Sequence, residues 1–145
     1  MTPAFPKNKV VIWDEVEGQI KGEISLRAPV RAVRLRRDRI AVVLEQKCLV
    51  YAWEDLRLLH DLETLANPEG LVALSSAPEH PVLAIPGLHK GQVRLELYEL
   101  RKTRFIDAHS SGLACLSLSM DGKMLATASE KVGWGVGGGA HSFVQ

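Results

Sequence analysis

Val30-Arg31-Ala32-Val33-Arg34-Leu35, Ile40-Ala41-Val42-Val43-Leu44, Cys48-Leu49-Val50-Tyr51-Ala52-Trp53 and Leu58-Leu59-His60-Asp61-Leu62 succeed one another with only short breaks between them. The first run alternates, which predicts a strand with arginines on its outer face and aliphatics on its inner one. Arg37-Asp38 makes the turn. The second run is aliphatic without interruption, the pattern of a buried strand. Glu54 to Leu65 is ambiguous by itself, because leucines at 56, 59 and 62 also fit a helical period of about 3.6 residues. Its place after three strands favours a fourth strand over Leu58–Leu62.

The same cycle extends in both directions. Upstream, Val10 to Trp13 is apolar and leaves the sheet at Asp14, Glu17-Gly18 is a turn, and Gln19 to Leu26 carries Ile20, Gly22, Ile24 and Leu26 on one face. Downstream, Asn67-Pro68-Glu69-Gly70 is a turn, followed by runs at Leu71–Leu74, Val82–Ile85, Val93–Tyr98 and Thr103–Ile106. A further unit opens with Leu113–Leu118, turns at Asp121-Gly122 and continues over Met124–Ser129. A cycle of four short strands every forty residues or so reads as the blade of a β-propeller. The expected fold is all-β: a partial propeller of four-stranded antiparallel sheets, two strands, four, four and two, roughly three blades' worth. Propellers close with about four to eight blades, so this set does not close a ring. Residues 1–7 read as an N-terminal extension and 8–131 as the incomplete propeller. Glycine crowds Val132 to Gly139, which supplies few packing side chains, so 132–145 is expected to be a flexible tail.

Composition narrows the chemistry. The 145 residues are 46% hydrophobic and 24% charged with a net charge of +1, a globular balance without a global field for nucleic acid. Anion binding must come from local clusters. No apolar run approaches the length of a membrane span, and the first residues show no secretory leader, so the chain reads as cytosolic. Cys48 and Cys115 sit inside apolar strand patterns and are expected as buried free thiols. Trp13 and Trp53 hold similar places in successive repeats and are expected to pack blades. His60, His80, His89 and His141 lack zinc-ligand spacing, and no nucleophile–base constellation is present. No catalytic residue, metal site or cofactor is expected.

Asn8 to Asp14, Val30 to Ile40, Asn67 to Leu71, Ala108-His109-Ser110 and Ala126-Thr127-Ala128-Ser129-Glu130-Lys131 resemble, in order and spacing, the PROPPIN family, and within it the plant or algal type. These are seven-bladed WD-repeat propellers that bind phosphoinositides in autophagy. The resemblance runs from Phe5 to Lys131 and implies the end of the second blade, the third and fourth blades, and the start of the fifth. It also implies that His109, Thr127 and Ser129 contact the headgroup of phosphatidylinositol 3-phosphate or the 3,5-bisphosphate. Hydroxyls and an imidazole N–H can donate to phosphate oxygens, and neighbouring cations strengthen such bonds. Two departures stand against full binding. Val132-Gly133 replace the family's Gly-Thr with no arginine after them, and the paired-arginine motif would fall past Gln145. At about 1.5–3 kcal/mol for each charge-assisted bond, losing two arginines weakens binding by about 3–6 kcal/mol, or two to four decades.

The same residues carry plainer readings. In many WD repeats a histidine at the blade junction keeps adjacent blades in register, a role open to His109. Strand alternation alone accounts for Thr127 and Ser129 between Ala126 and Ala128. Arg34, Arg36, Arg37 and Arg39 form the densest basic cluster, either a solvated face and turn or a docking surface for an acidic partner segment, with Arg36, Arg37 and Arg39 as its core. No aromatic alternates with these arginines, which speaks against nucleic acid. The leading expectation is a non-enzymatic phosphoinositide-binding adaptor of autophagosome formation, impaired in lipid binding. Lipid-transfer or conjugation proteins would be its partners, and it would sit on phagophore, endosomal or vacuolar membranes. The alternatives are a protein-interaction scaffold without lipid binding, or a nonfunctional product.

Overall fold

The computed structural model describes residues 7–133 and 136–142, with side chains through Glu130. Among the described residues there are strands and turns and no helix. The first sheet pairs β1 (Lys9–Asp14) with β2 (Gln19–Ser25). The second is an antiparallel meander of β3 (Ala32–Arg36), β4 (Arg39–Val43), β5 (Lys47–Ala52) and β6 (Leu58–Glu63). The third repeats it with β7 (Ala73–Leu74), β8 (Val82–Pro86), β9 (Gln92–Leu97) and β10 (Lys102–Asp107). The fourth holds β11 (Leu113–Leu118), β12 (Met124–Gly133) and β13 (Val136–Ser142). First strands touch in sequence, β3 against β7 and β7 against β11. The sheets therefore fan out from a shared inner side as blades of a partial propeller.

The uninterrupted aliphatic runs now have a physical cause. Strand side chains alternate between faces, and each middle blade is covered on both. Ile40, Val42 and Leu44 join Val10, Ile12, Ile24 and Leu26 in the core between the first and second sheets. Ala41 and Val43 turn the other way, into a core with Leu62, Val72, Leu83 and Ile85. On β8, Leu83 and Ile85 serve that second core, while Val82 and Ala84 serve a third with Val93, Leu95 and Leu125. One strand thus feeds two cores, and a fully buried Val, Ile or Leu side chain contributes about 1.5–3 kcal/mol. A single charge at Val43 or Leu83 would separate two sheets.

The ends of the strands are tied as well. In a meander, the β6–β7 and β10–β11 links share one end of the blades with the β4–β5 and β8–β9 turns. There Asn67 N–H donates to the Glu45 carbonyl (2.6 Å), Leu65 N–H to the Gly87 carbonyl (2.8 Å), and Ala108 N–H to the Gly91 carbonyl (3.0 Å). The Asn67 side chain is buried and closes its own loop by bonding both polar groups of Leu71. The Asn-Pro-Glu-Gly signal was a turn for that reason.

Four expectations are corrected. The stretch expected as a flexible tail carries β13 over Val136–Ser142, paired with β12 through registers such as Leu125↔His141 and Ala126↔Ala140. Main-chain hydrogen bonds need no side chains, so glycine can complete a ladder that packing patterns do not reveal; Val132 and Gly133 close β12, and 134–135 and 143–145 lie outside the described residues. On β3, the expected inner and outer faces exchange at the turn: Leu35 is 57% exposed and the Arg36 side chain only 2%. Trp13 is 59% exposed on the open face of β1, whereas Trp53 packs against the first core. Cys48 is buried, but Cys115 lies on the exposed face of β11.

Candidate functional site

His109 is held at the mouth of the β10–β11 link by its own backbone, whose N–H donates to the Gly91 carbonyl at 3.2 Å. Gly91 stands at φ +75°, and a side chain there would run into the His109 carbonyl oxygen. The imidazole Nε2 then meets Thr127 Oγ1 at 2.8 Å. Thr127 is 5% exposed, pointing inward from β12 where strand alternation places it. Ser129 lies two residues along the same strand, and its Oγ is shielded without a hydrogen-bond partner among the described residues. The three residues expected at a headgroup site are thus assembled at one strand and its facing loop. The His109–Thr127 bond also does what the register reading asks, fastening the loop to the fourth sheet.

Beside this edge opens a cavity of about 440 Å³ walled by the β6–β7 link, the β8–β9 turn and the fourth sheet, with Asn67, Glu69, His89, Lys90, Gly112 and Glu130 among its lining residues. Its charges are mixed, so it concentrates no strong positive field. Glu130 N–H donates to the Gly112 carbonyl at 2.8 Å, which holds the end of β12 against the link.

The arginine cluster divides. Arg36 turns inward, its Nη1 donating to the Ser75 carbonyl (2.7 Å) and its Nε to Asp38 Oδ1 (2.6 Å). It is not available as the docking residue expected from sequence, because β3 ends by turning it between the second and third sheets. Arg39 donates to Asp38 Oδ2 (2.8 Å) and lies with its guanidinium carbon 4.0 Å from the centre of the Tyr98 ring. Arg34 is exposed and donates to the Val33 carbonyl. Arg37 is exposed in the turn and takes part in no ion pair among the described residues. Sequence reasoning gave no role to Ser75, His60 or Tyr98. Their contacts join separate sheets, and only an expectation of which blade ends face each other would have found them.

Burial raises three groups, the Cys48 thiol and the phenols of Tyr98 and Tyr51. The Cys48 thiol is pushed up to about 12 by its apolar surroundings, and the Tyr98 phenol is raised for the same reason. Among the described residues no group of three or more His, Cys, Asp or Glu could hold a metal ion, and no helix is long and apolar enough to cross a membrane.

Comparison with known proteins places this arrangement. Residues 7–136 match the PROPPIN family. Autophagy-related protein 18e of Arabidopsis thaliana is 40% identical over 127 residues, covering 88% of this chain and 34% of the relative. SVP1-like protein 2 of Emericella nidulans is 40% identical over 129 residues, covering 88% of this chain and 39% of the relative. The chain therefore spans little more than a third of the length of these curated relatives. Among solved structures, Hsv2 of Kluyveromyces lactis superposes with a TM-score of 0.70 at 20% identity, over 86% of this chain and 38% of that one. KlAtg21, solved with the coiled coil of AgAtg16, gives 0.75 at 22% identity, over 88% and 42%. With four fanned sheets and a family match over nearly its whole length, the chain belongs to the PROPPIN family.

Proposed function

We propose that this chain is part of a non-enzymatic adaptor of autophagosome formation that binds phosphatidylinositol 3-phosphate or the 3,5-bisphosphate at the edge formed by His109, Thr127 and Ser129. Family membership supports the ligand class. The observation that carries the site is the Ser129 hydroxyl, shielded and unpartnered on the strand whose Thr127 already holds His109 at 2.8 Å. A phosphate oxygen would satisfy that hydroxyl, and the His109–Thr127 bond would fix the imidazole for a second contact. The protein works from the cytoplasm, held at phagophore, endosomal or vacuolar surfaces by headgroups, not by a span.

Affinity through these residues alone is weak. Lys131 is followed by Val132-Gly133, and residues 132–145 contain no arginine. Flotation with vesicles carrying phosphatidylinositol 3-phosphate, the 3,5-bisphosphate or plain phosphatidylinositol tests the proposal. The expected result is weak, salt-sensitive recruitment that requires the 3-phosphate and disappears in Ser129→Ala with His109→Ala. Equal recruitment to plain phosphatidylinositol would overturn the ligand assignment. Tight 3-phosphate-dependent binding would overturn the weakness.

A second reading rests on Arg37, exposed and without an ion pair among the described residues. It suits an acidic segment of a protein partner, with Arg39 at the edge of the same turn. KlAtg21 was solved with a coiled coil, a partner class that supports a docking role here alongside the family's lipid-transfer and conjugation machinery. If Arg37→Glu abolished partner capture while no vesicle composition recruited the chain, the scaffold reading would replace the lipid one.

A further inference from the structure

At the other end of β9 from His109, three side chains form a stack between the second and third sheets. His60 comes from β6, Arg39 from β4, and Tyr98 directly follows β9. The imidazole and phenol rings lie parallel, 5° apart in plane and 5.5 Å between centres. The Arg39 guanidinium carbon sits 4.0 Å from the Tyr98 ring centre. Interfaces of this kind are ordinarily satisfied, yet here three polar atoms are shielded from solvent without a hydrogen-bond partner among the described residues: Arg39 Nε, His60 Nδ1 and Tyr98 Oη. Buried polar groups in folded proteins are nearly always paired, so three orphans in one stack point to a missing partner.

The surroundings say what partner fits. A cavity of about 400 Å³ is lined by Arg39, His60, Tyr98, Arg101, Lys102 and Glu96. Glu96 is already engaged, accepting from Arg94 Nε at 2.8 Å and from Thr103 Oγ1 at 2.9 Å. Arg101 and Lys102 form no ion pair among the described residues. The pocket therefore offers Arg101 and Lys102 as cations without an ion pair, Arg39 as one that Asp38 already partners from outside the groove, and no uncommitted carboxylate. The guanidinium N–H can only donate, the phenol donates through its O–H, and the imidazole Nδ1 donates when it carries the proton, so one acceptor group can satisfy all three. A carboxylate presents two oxygens. A phosphate monoester presents three, one for each orphan, and carries the charge that Arg101 and Lys102 answer.

We propose that this groove binds a phosphate monoester, with Tyr98, Arg39 and His60 as its donors and Arg101 and Lys102 at its rim. It is separate from the headgroup edge at His109, so either site can fail without the other. The monoester can belong to a small soluble molecule or to a lipid headgroup, and the volume admits a phosphate with a short attached group.

The test is NMR on the whole chain, following the His60 imidazole during titration with glycerol 3-phosphate, and flotation with vesicles of phosphatidylcholine with or without phosphatidic acid. The expected result is a saturable shift at His60, weakened about tenfold or more by Tyr98→Phe, which keeps the ring stack and removes only the hydroxyl, and by Arg39→Gln. His109→Ala should leave it unchanged. Saturation by glycerol 3-phosphate identifies a soluble ligand. A response only to phosphatidic acid vesicles, lost in Tyr98→Phe, identifies a headgroup. The proposal is overturned if no phosphate probe moves His60, if Tyr98→Phe leaves the shift unchanged, or if a glutamate-rich peptide saturates the site while phosphate does not. Should Arg39→Gln fail to fold, Tyr98→Phe decides.

Discussion

Arg36 Nη1 donates to the main-chain carbonyl of Ser75 at 2.7 Å, joining the last residue of β3 to the residue after β7. The bond links two blades where their first strands come together. Ser75 is braced in turn, its Oγ accepting from Val82 N–H (2.8 Å) and donating to the His80 carbonyl (3.0 Å). Asp38 neutralises the buried cation from the turn side. A charge placed here is structural, so Arg36→Met should lower stability by about 1.5–3 kcal/mol, the range for a hydrogen bond to a charged group. Arg37→Met, one residue further into solvent, should stay within about 0.5 kcal/mol of the parent. Urea denaturation of the two variants checks the contrast.

Gly91 should tolerate no side chain. Its φ of +75° belongs to the region glycine favours, and a Cβ would strike the His109 carbonyl. Gly91→Ala is expected to destabilise by more than about 1 kcal/mol and to displace the His109 loop. The second effect is visible as a changed His109 imidazole resonance, while Gly18→Ala, whose Cβ would meet nothing within 4 Å, leaves that resonance in place.

The His109–Thr127 bond should be measurable as coupling. A double-mutant cycle of His109→Ala and Thr127→Val is expected to give about 0.5–1.5 kcal/mol between the two positions. Additivity would mean that the loop is held by the Gly91 carbonyl alone.

Cys48 makes a pH prediction. Its thiol ionises near 9.0 when unfolded and is pushed up to about 12 by burial in the fold. Between those values the unfolded chain has released a proton that the folded chain retains. Stability is therefore undiminished below pH 9 and falls as pH rises toward 12. Tyr98 and Tyr51, both raised from 10.0 chiefly by burial, act in the same direction above that pH. Thiol labelling at pH 8 should modify the exposed Cys115 and spare Cys48 until the chain unfolds.

The strands were legible wherever burial on two faces wrote a continuous apolar run, as over Ile40–Leu44 and Val82–Ile85. Leu58–Leu62, where a helical period competed, resolved as β6 because its partner β5 precedes it by one turn. Elsewhere side-chain pattern misleads or is silent. Leu35 is exposed and Arg36 buried because the unbroken β3–β4 register sets them on opposite faces, and the Ser75 carbonyl, far along the chain, receives the inward arginine. β13 left no trace because glycine contributes only backbone to its pairing with β12. His109, Thr127 and Ser129 are singled out by resemblance alone, since alternation by itself explains the hydroxyls. The Tyr98–His60 stack was not found at all, for nothing local to either residue announces a contact between blades.

Neighbouring valines of one strand belong to different sheet interfaces, and methyl NOE spectroscopy reads that directly. Val42 methyls should show contacts with the Val10, Ile12, Ile24 and Leu26 cluster, and Val43 methyls with the Leu62, Val72, Leu83 and Ile85 cluster. Finding both valines among one common set of neighbours would contradict the stacked-blade arrangement and every site built upon it.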